Sequence, residues 1–386
     1  MNGVPIDGLD TIGNTAALDI PANAIFSGVF ADGRPFAFSS FDSDNFAAGT
    51  VTLEAAEIPT AMPGVFIAST NPLPLGLRAG QTLTIDGGAS VATNYIAAPG
   101  STLIVSPGGT VGANFEAYGA DVYIAGGNVG HGFDALAGTV VNISDGTIAG
   151  GDPFAAWGDR KVNISGGSMG LCCLQAFEGS VVNHSGGQVP YTRIQLEAGS
   201  HLSVYGAEFK LDGEAIAGLD PGVPFTLTNR TGILSAILVD GTQIEFPLNN
   251  FKDGRTINRR VNGAITLNLV SEMLRGDYNH DGQVNAADYT VWRNTLDNSV
   301  TPGSGADANF DGHIDSGDYY VWKTNFGNTS DTPDGQSVPE PSSLALAAMT
   351  ATALIARRPI RRRTGPLISN HLIRGSDRLC AFFRRI

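Results

Sequence analysis

The sequence predicts a mainly β chain: a parallel β-helix of ~20-residue coils with small antiparallel β modules, followed by a small α domain of two loop-helix repeats. Three observations predict it. Paired or near-paired turn residues recur at Gly87-Gly88, Gly108-Gly109, Gly126-Gly127, Asp145-Gly146, Gly166-Gly167, Gly186-Gly187 and Gly206-Ala207, in steps of 21, 18, 19, 21, 20 and 20 residues. An alternating apolar strand precedes each pair. Two acidic twelve-residue loops stand 30 residues apart toward the C-terminal end.

Composition agrees with many turns between short strands. The 386 residues include 50 Gly and 20 Pro with only 16% charged residues, and no three-residue glycine period, which excludes collagen. The formal charge is −14; residues 357–386 hold nine Arg and one Asp, so residues 1–356 carry −14 less +8, that is −22. This balance argues against a nucleic-acid partner for the body and makes divalent cations plausible ones. Two of the three cysteines, Cys172 and Cys173, are adjacent and the third, Cys380, lies in the basic tail, so no disulfide framework can be read.

Residues 1–64 read as an antiparallel module. Its core is FSGVFADGRPFAF at 26–38, with Asp32-Gly33 as the hairpin turn. The same pattern returns as LSAILVDGTQIEF at 234–246, an offset of 208, within a second module at 211–270. GTVTL from Gly49 likewise matches GAITL from Gly263. Met1 aligns with Leu211, and MNGVPIDGLD carries no export signal, so the natural start is expected upstream of Met1, preceded by further coils and a signal peptide.

Residues 65–210 read as the β-helix. Leu83, Leu103, Val122, Val141, Val162, Val182 and Leu202 point inward, and the residues two further on share that face: Ile85, Val105, Ile124, Ile143, Ile164, His184 and Val204. Phe115, Phe133, Phe154, Leu174 and Ile194 form a second inward row. A unit this short cannot bury its own apolar face and must stack on its neighbours. A β-sandwich with regular turns is the competing architecture. Over residues 75–210 the pattern resembles right-handed β-helices of the pectin-lyase-like and autotransporter-like kind.

Asn142, Asn163 and Asn183 form an outward row, expected as a hydrogen-bonded asparagine ladder. Glu116 and Asp134 are outward neighbours about one strand spacing apart, close to the ~5 Å of a retaining glycosidase pair, and are the candidate catalytic residues. Their row continues with Ala155, Gln175 and Gln195, which reads equally as a solvated polar ladder. Asp152, Asp159 and Arg160 are the local cluster a lyase would need. His184 reads as a satisfied buried histidine near Cys172 and Cys173, with a metal site as the alternative.

Residues 274–327 carry the sharpest chemistry. The first loop supplies Asp277, Asn279, Asp281, Asn285 and Asp288 at positions 1, 3, 5, 9 and 12, with Gly282 at 6 and Val284 at 8. The second supplies Asp307, Asn309, Asp311, Asp315 and Asp318, with Gly312 and Ile314. The backbone carbonyls of Gln283 and His313 fall at position 7. Six to eight oxygens around one point suit a hard cation, so two Ca2+ sites are expected. Each loop leads into one helix-period stripe: Tyr289, Trp292 and Leu296, then Tyr319, Trp322 and Phe326. The segment resembles a type I dockerin, which implies calcium binding and docking to a cohesin. It departs from the familiar pattern at the pair before position 12, here Ala286-Ala287 and Ser316-Gly317, which in that family often helps choose the cohesin. The module is expected to fold only with calcium and independently of the coils.

A linker at 328–337 leads to residues 338–363, where Pro339-Glu340-Pro341, an uncharged run at 344–356 and Arg357, Arg358, Arg361, Arg362 and Arg363 follow one another. This order resembles a PEP-CTERM sorting signal, which implies export, removal of the tail by an exosortase-type enzyme, and membrane contact before processing. A basic tail at 364–386 follows, where that family usually stops soon after its arginines. Together these features resemble envelope proteins of planctomycete-type bacteria. The expected function is a non-catalytic, exported cell-envelope protein for display, adhesion or surface assembly; the alternative is a polysaccharide-active hydrolase or lyase.

Overall fold

The inward rows stack as expected. In a computed structural model of the chain, which describes residues 12–20, 25–39, 49–59, 64–136, 138–170, 174–252, 258–270 and 274–329, the strands Val65–Ile67, Thr82–Ile85, Thr102–Val105, Asp121–Val129, Val140–Ile148, Lys161–Met169, Val181–Gln188 and His201–Leu211 pair in parallel, each with the next. A second parallel sheet runs from Ile96–Ala97 through Glu116–Tyr118, Asp134–Leu136, Phe154–Ala156 and Leu174–Ala176 to Gln195–Leu196. The body is a parallel β-solenoid with turns of ~20 residues. A β-sandwich would need antiparallel pairing throughout these strands and is ruled out.

Register explains why the repeat holds. Val141, Val162, Val182 and Leu202 are successive Cα partners, and so are Ile143, Ile164, His184 and Val204, so aliphatic sits on aliphatic in these rows except at His184. All of these side chains are buried. On the other sheet the Phe115, Phe133 and Phe154 rings stack at 4.8 and 4.7 Å. Each such side chain contributes ~1.5–3 kcal/mol of apolar burial that no coil could gain alone.

The two antiparallel hairpins share one register: Gly28 faces Phe36, and Ala236 faces Ile244, 208 residues on. Asp32 and Asp240 close the turns alike, each accepting from the backbone N–H two residues ahead. Pairing within 211–270 is mixed, which differs from a purely antiparallel module. The strands Asn258–Val261 and Ala264–Leu269 run parallel to Gln195–Leu196 and His201–Leu211, adding one more coil after the hairpin. The reason is physical: the last apolar face of the stack, Leu202 and Val204, needs a cover, and Ile265 and Leu267 supply it.

Two helices follow, α1 (Ala286–Thr295) and α2 (Ser316–Asn325). The described residues all fall in one compact unit, Met1–Ser330. Residues 1–11, Cys172, Cys173 and the whole of 331–386, and with them the 338–363 motif, lie outside the described residues. Among the described residues no helix is long and apolar enough to cross a membrane.

Candidate metal centre

Both loops are shaped by their acids. In the first, Asp277 accepts the N–H groups of Asp281 and Gly282, Asn279 Oδ1 accepts that of Asp281, and Asp281 Oδ1 accepts that of Gln283. Asp288 closes the loop by accepting from Tyr278, Asn279 and Asn285. The second loop repeats every one of these bonds, with Asp307 receiving Asp311 and Gly312, Asn309 receiving Asp311, Asp311 receiving His313, and Asp318 receiving Ala308, Asn309 and Asp315. Gly282 and Gly312 stand at φ 83° and 81°, where the chain reverses and a side chain would be strained. Val284 and Ile314 anchor the loops in apolar contacts, each 1% exposed.

The helices start from the loops. Asn285 and Asp315 cap α1 and α2 in complete capping boxes with Asp288 and Asp318, so one acid serves as both loop closure and helix N3 residue. The indoles cross between repeats: Trp292 Nε1 donates to Asp315 O at 2.7 Å and Trp322 Nε1 to Asn285 O at 2.9 Å. Tyr289, Trp292, Tyr319 and Trp322 pack with ring centroids 5.2 to 6.2 Å apart. Leu296 and Phe326 stand at the C-caps and are exposed, and the Phe326 ring packs edge-on 5.2 Å from Trp322, continuing the expected stripe.

Residues 275–326 match the family model of the dockerin type I domain. No curated protein and no solved structure matches the chain. The molecule is thus a parallel β-solenoid followed by a two-helix dockerin region, and dockerins of this type typically bind calcium.

The donor set fits such an ion. All loop side chains that converge are carboxylates or amide oxygens, the hard donors calcium takes. Among the described residues no three His, Cys, Asp or Glu side chains cluster as a metal site. Burial pushes the Asp307 carboxyl up to about 6, with the Asp311 carboxylate adding to the rise and three loop amides opposing it. Burial and then Asp311 raise Asp315 to about 6, and burial and then Asp307 raise Asp318 well above the usual carboxylate range. Crowded, desolvated acids of this kind are relieved by a cation.

The dockerin is not separate from the coils, against the expected independence. Its second loop lies on the outward row that runs Tyr123, Asn142, Asn163 and Asn183 across adjacent strands. The row is the expected asparagine ladder: Asn163 Nδ2 donates to Asn142 Oδ1 at 2.8 Å, and Asn183 Nδ2 to Asn163 Oδ1 at 2.9 Å. It is nevertheless buried. Asn309 Nδ2 donates to Asn142 Oδ1 at 3.1 Å, Asn163 Nδ2 donates to Asp311 Oδ2 at 3.1 Å, and Lys161 Nζ donates to Asp311 O at 3.0 Å. Arg275 donates to Ser165 O and to Ala308 O, bridging solenoid and loop. Phe310 packs its ring 4.6 Å from Tyr205, and Tyr320 lies 5.3 Å from Tyr123. Lys161 and Arg275 carried no signal in the sequence, since their partners lie 150 and 110 residues away.

The other candidates lie on the coils. Glu116 and Asp134 are register partners on adjacent coils, and the row continues to Ala155. The Asp152, Asp159 and Arg160 cluster does not assemble as a lyase site: Asp152 pairs with His131 at 2.9 Å, and Arg160 is buried, its guanidinium lowered by burial to about 10. His184 is buried with both ring nitrogens engaged, Nδ1 at 2.5 Å from the Tyr191 hydroxyl and Nε2 at 3.3 Å from Gly187 O.

Proposed function

We propose that this is an exported cell-envelope protein whose solenoid carries a calcium-loaded dockerin for docking or surface assembly, without catalysis of its own. A dockerin implies a cohesin partner and a secreted or cell-surface setting. The observation that supports the reading is the doubling of one loop, bond for bond, at 277–288 and 307–318. The side chains of Asp277, Asn279, Asp281, Asn285 and Asp288 with the Gln283 carbonyl would hold one ion, and Asp307, Asn309, Asp311, Asp315 and Asp318 with the His313 carbonyl the other. Bound calcium would neutralise acids that otherwise repel one another. The loop amides keep the carboxylates pointed inward, and the capping boxes tie that arrangement to the helix starts.

Calorimetric titration of calcium into chelator-stripped full-length protein tests this, beside a pull-down with a panel of cohesins. Two binding events are expected, and calcium-dependent retention of a cohesin. Absence of calcium binding overturns the reading.

A polysaccharide-active enzyme is the second reading, favoured by the adjacency of Glu116 and Asp134 on neighbouring strands. Release of reducing sugar from a glycan, lost in Glu116→Gln and Asp134→Asn, would establish it. The tail proposal, exosortase-type removal beyond 339–341, is read by intact mass of the envelope fraction.

A further inference from the structure

The two calcium loops share their ligand positions, and the second hydrogen-bonds through its ligand side chains to the solenoid. In loop 1, Asn279, Asp281 and the Ala286-Ala287 pair are exposed. In loop 2, Asn309 is 2% exposed and the Asp311 side chain likewise 2%. Their outer polar atoms are taken by the coils: Asn309 Nδ2 by Asn142, Asp311 Oδ2 by Asn163, with Lys161 Nζ 4.0 Å from the same oxygen. The inner atoms, Asn309 Oδ1 and Asp311 Oδ1, still face the loop interior, where they accept loop N–H groups. This is the division of labour of a metal site with an outer layer: one atom of each side chain for the ion, the other for a residue that fixes its direction.

We propose that the asparagine ladder of the solenoid is the outer layer of the second calcium site, so that calcium binding and seating of the dockerin on its own solenoid form one linked equilibrium. The proposal rests on the calcium reading above. Two observations favour linkage over a permanently fused contact. The seam is imperfectly satisfied, since Asn142 Nδ2 and Arg275 Nε are buried without hydrogen-bond partners, and each such atom opposes burial. The Asp311 side chain, 2% exposed where its loop 1 counterpart Asp281 is exposed, is an acid desolvated at the seam and disfavours seating unless its charge is compensated. Gly317 completes the fit: a Cβ there would stand 2.5 Å from Asn309 Nδ2 and 3.1 Å from Asn142 Cγ, so the approach is close enough to require glycine. If calcium tightens seating by some factor, seating tightens calcium by the same factor. The first loop joins the second repeat through Tyr278, whose hydroxyl donates to Asp318 O, and through Asn285 O, which accepts from Trp322 Nε1, whereas the ladder residues Asn142 and Asn163 bond to loop 2.

The test uses the full chain with Asp277→Ala silencing the first loop, so that titrated calcium reports the second. Adding Asn142→Ala and Asn163→Ala should weaken that site ~10- to 100-fold, the usual effect of removing outer-layer partners. The same pair of changes with loop 1 intact should leave loop 1 affinity unaltered. An unchanged second site, in protein whose β signal is intact, overturns the proposal while leaving the calcium reading standing. No calcium binding in either loop of the unaltered protein overturns both. Hydrogen exchange on the unaltered protein gives the variant-free measurement. Chelation should lower protection at 161–165 together with 307–318, and protection at 161–165 that is indifferent to calcium overturns the linkage.

Discussion

Loop 1 and loop 2 place oxygen side chains at the same five positions, differing at position 9 where Asn285 faces Asp315, and both end in a capped helix, yet loop 1 is exposed at Asn279 and Asp281 while loop 2 buries Asn309 and Asp311 against the coils. The difference is concentrated at position 4, which has positive φ in both, 58° at His280 and 63° at Phe310. His280 is exposed; Phe310 is 2% exposed against Tyr205 and Val239. A bulky side chain in left-handed backbone is unfavourable by ~1–2 kcal/mol, and the burial of its ring offsets that. Duplication thus fixes the ligand chemistry, while the surface each copy meets decides what else it does.

The sharpest way to break the comparison is at that position. Phe310→Ala should destabilise the second repeat by ~3–5 kcal/mol, whereas His280→Ala should stay within ~0.5 kcal/mol. Amide exchange of the two loops at saturating calcium reads both. Equal effects would mean that the seam contributes nothing.

Acid should act on the solenoid through His184. His184 lies within the stack near Asp240 and Arg275, and burial lowers it to about 4, with hydrogen bonds to the Gly187 and Gly186 carbonyls and the Asp240 charge opposing the fall. The unfolded chain therefore binds the extra proton between ~6.5 and 4, so this residue's contribution is complete above pH ~6.5 and is lost as pH falls toward 4. The loss amounts to about 3 kcal/mol, and a His184→Leu variant should flatten that part of the stability profile. A parallel profile for both proteins between pH 6.5 and 4 would refute it.

A smaller effect is expected at position 11. Gly317→Ala should cost ~1–3 kcal/mol through forced displacement of Asn309 or Asn142, while Ala287→Gly at the equivalent exposed site should cost ~1 kcal/mol through helix propensity alone. Only the first should alter exchange at Asn142 and Asn163. Smallest and symmetric should be the indoles: Trp292→Phe and Trp322→Phe each remove one crossing hydrogen bond, about 1 kcal/mol apiece. A large inequality there, measured by denaturation with calcium present, would show that the helix pair itself is asymmetric.

Much of this was legible in the residues. The rows headed by Leu83 and Ile85, the Phe115 ladder, the asparagine ladder and the loop positions follow from periods of two, ~20 and 30 residues, and each is a statement about neighbours that the repeat itself defines. Local bonding in the loops was legible for the same reason, because an Asp one to five residues from an amide N–H reaches it whatever the rest of the chain does. The switch from antiparallel to parallel pairing at 258–269 was not, because GAITL and GTVTL have the same alternating pattern and only the presence of an uncovered coil beneath decides their partner.

By itself, then, the sequence determined a solenoid that must stack and a pair of loops whose oxygens must converge, since both are short-range consequences of periodicity. Which face of the stack receives the second loop was decided only by the tertiary structure. Lys161 with Asp311, Arg275 with Ser165 and Asn142 with Asn309 are joined across 110 to 167 residues by no pattern of spacing. Such contacts form because two independently shaped surfaces happen to be complementary in polarity and in the room that Gly317 leaves. That complementarity belongs to the folded surfaces, and a one-dimensional period cannot encode it.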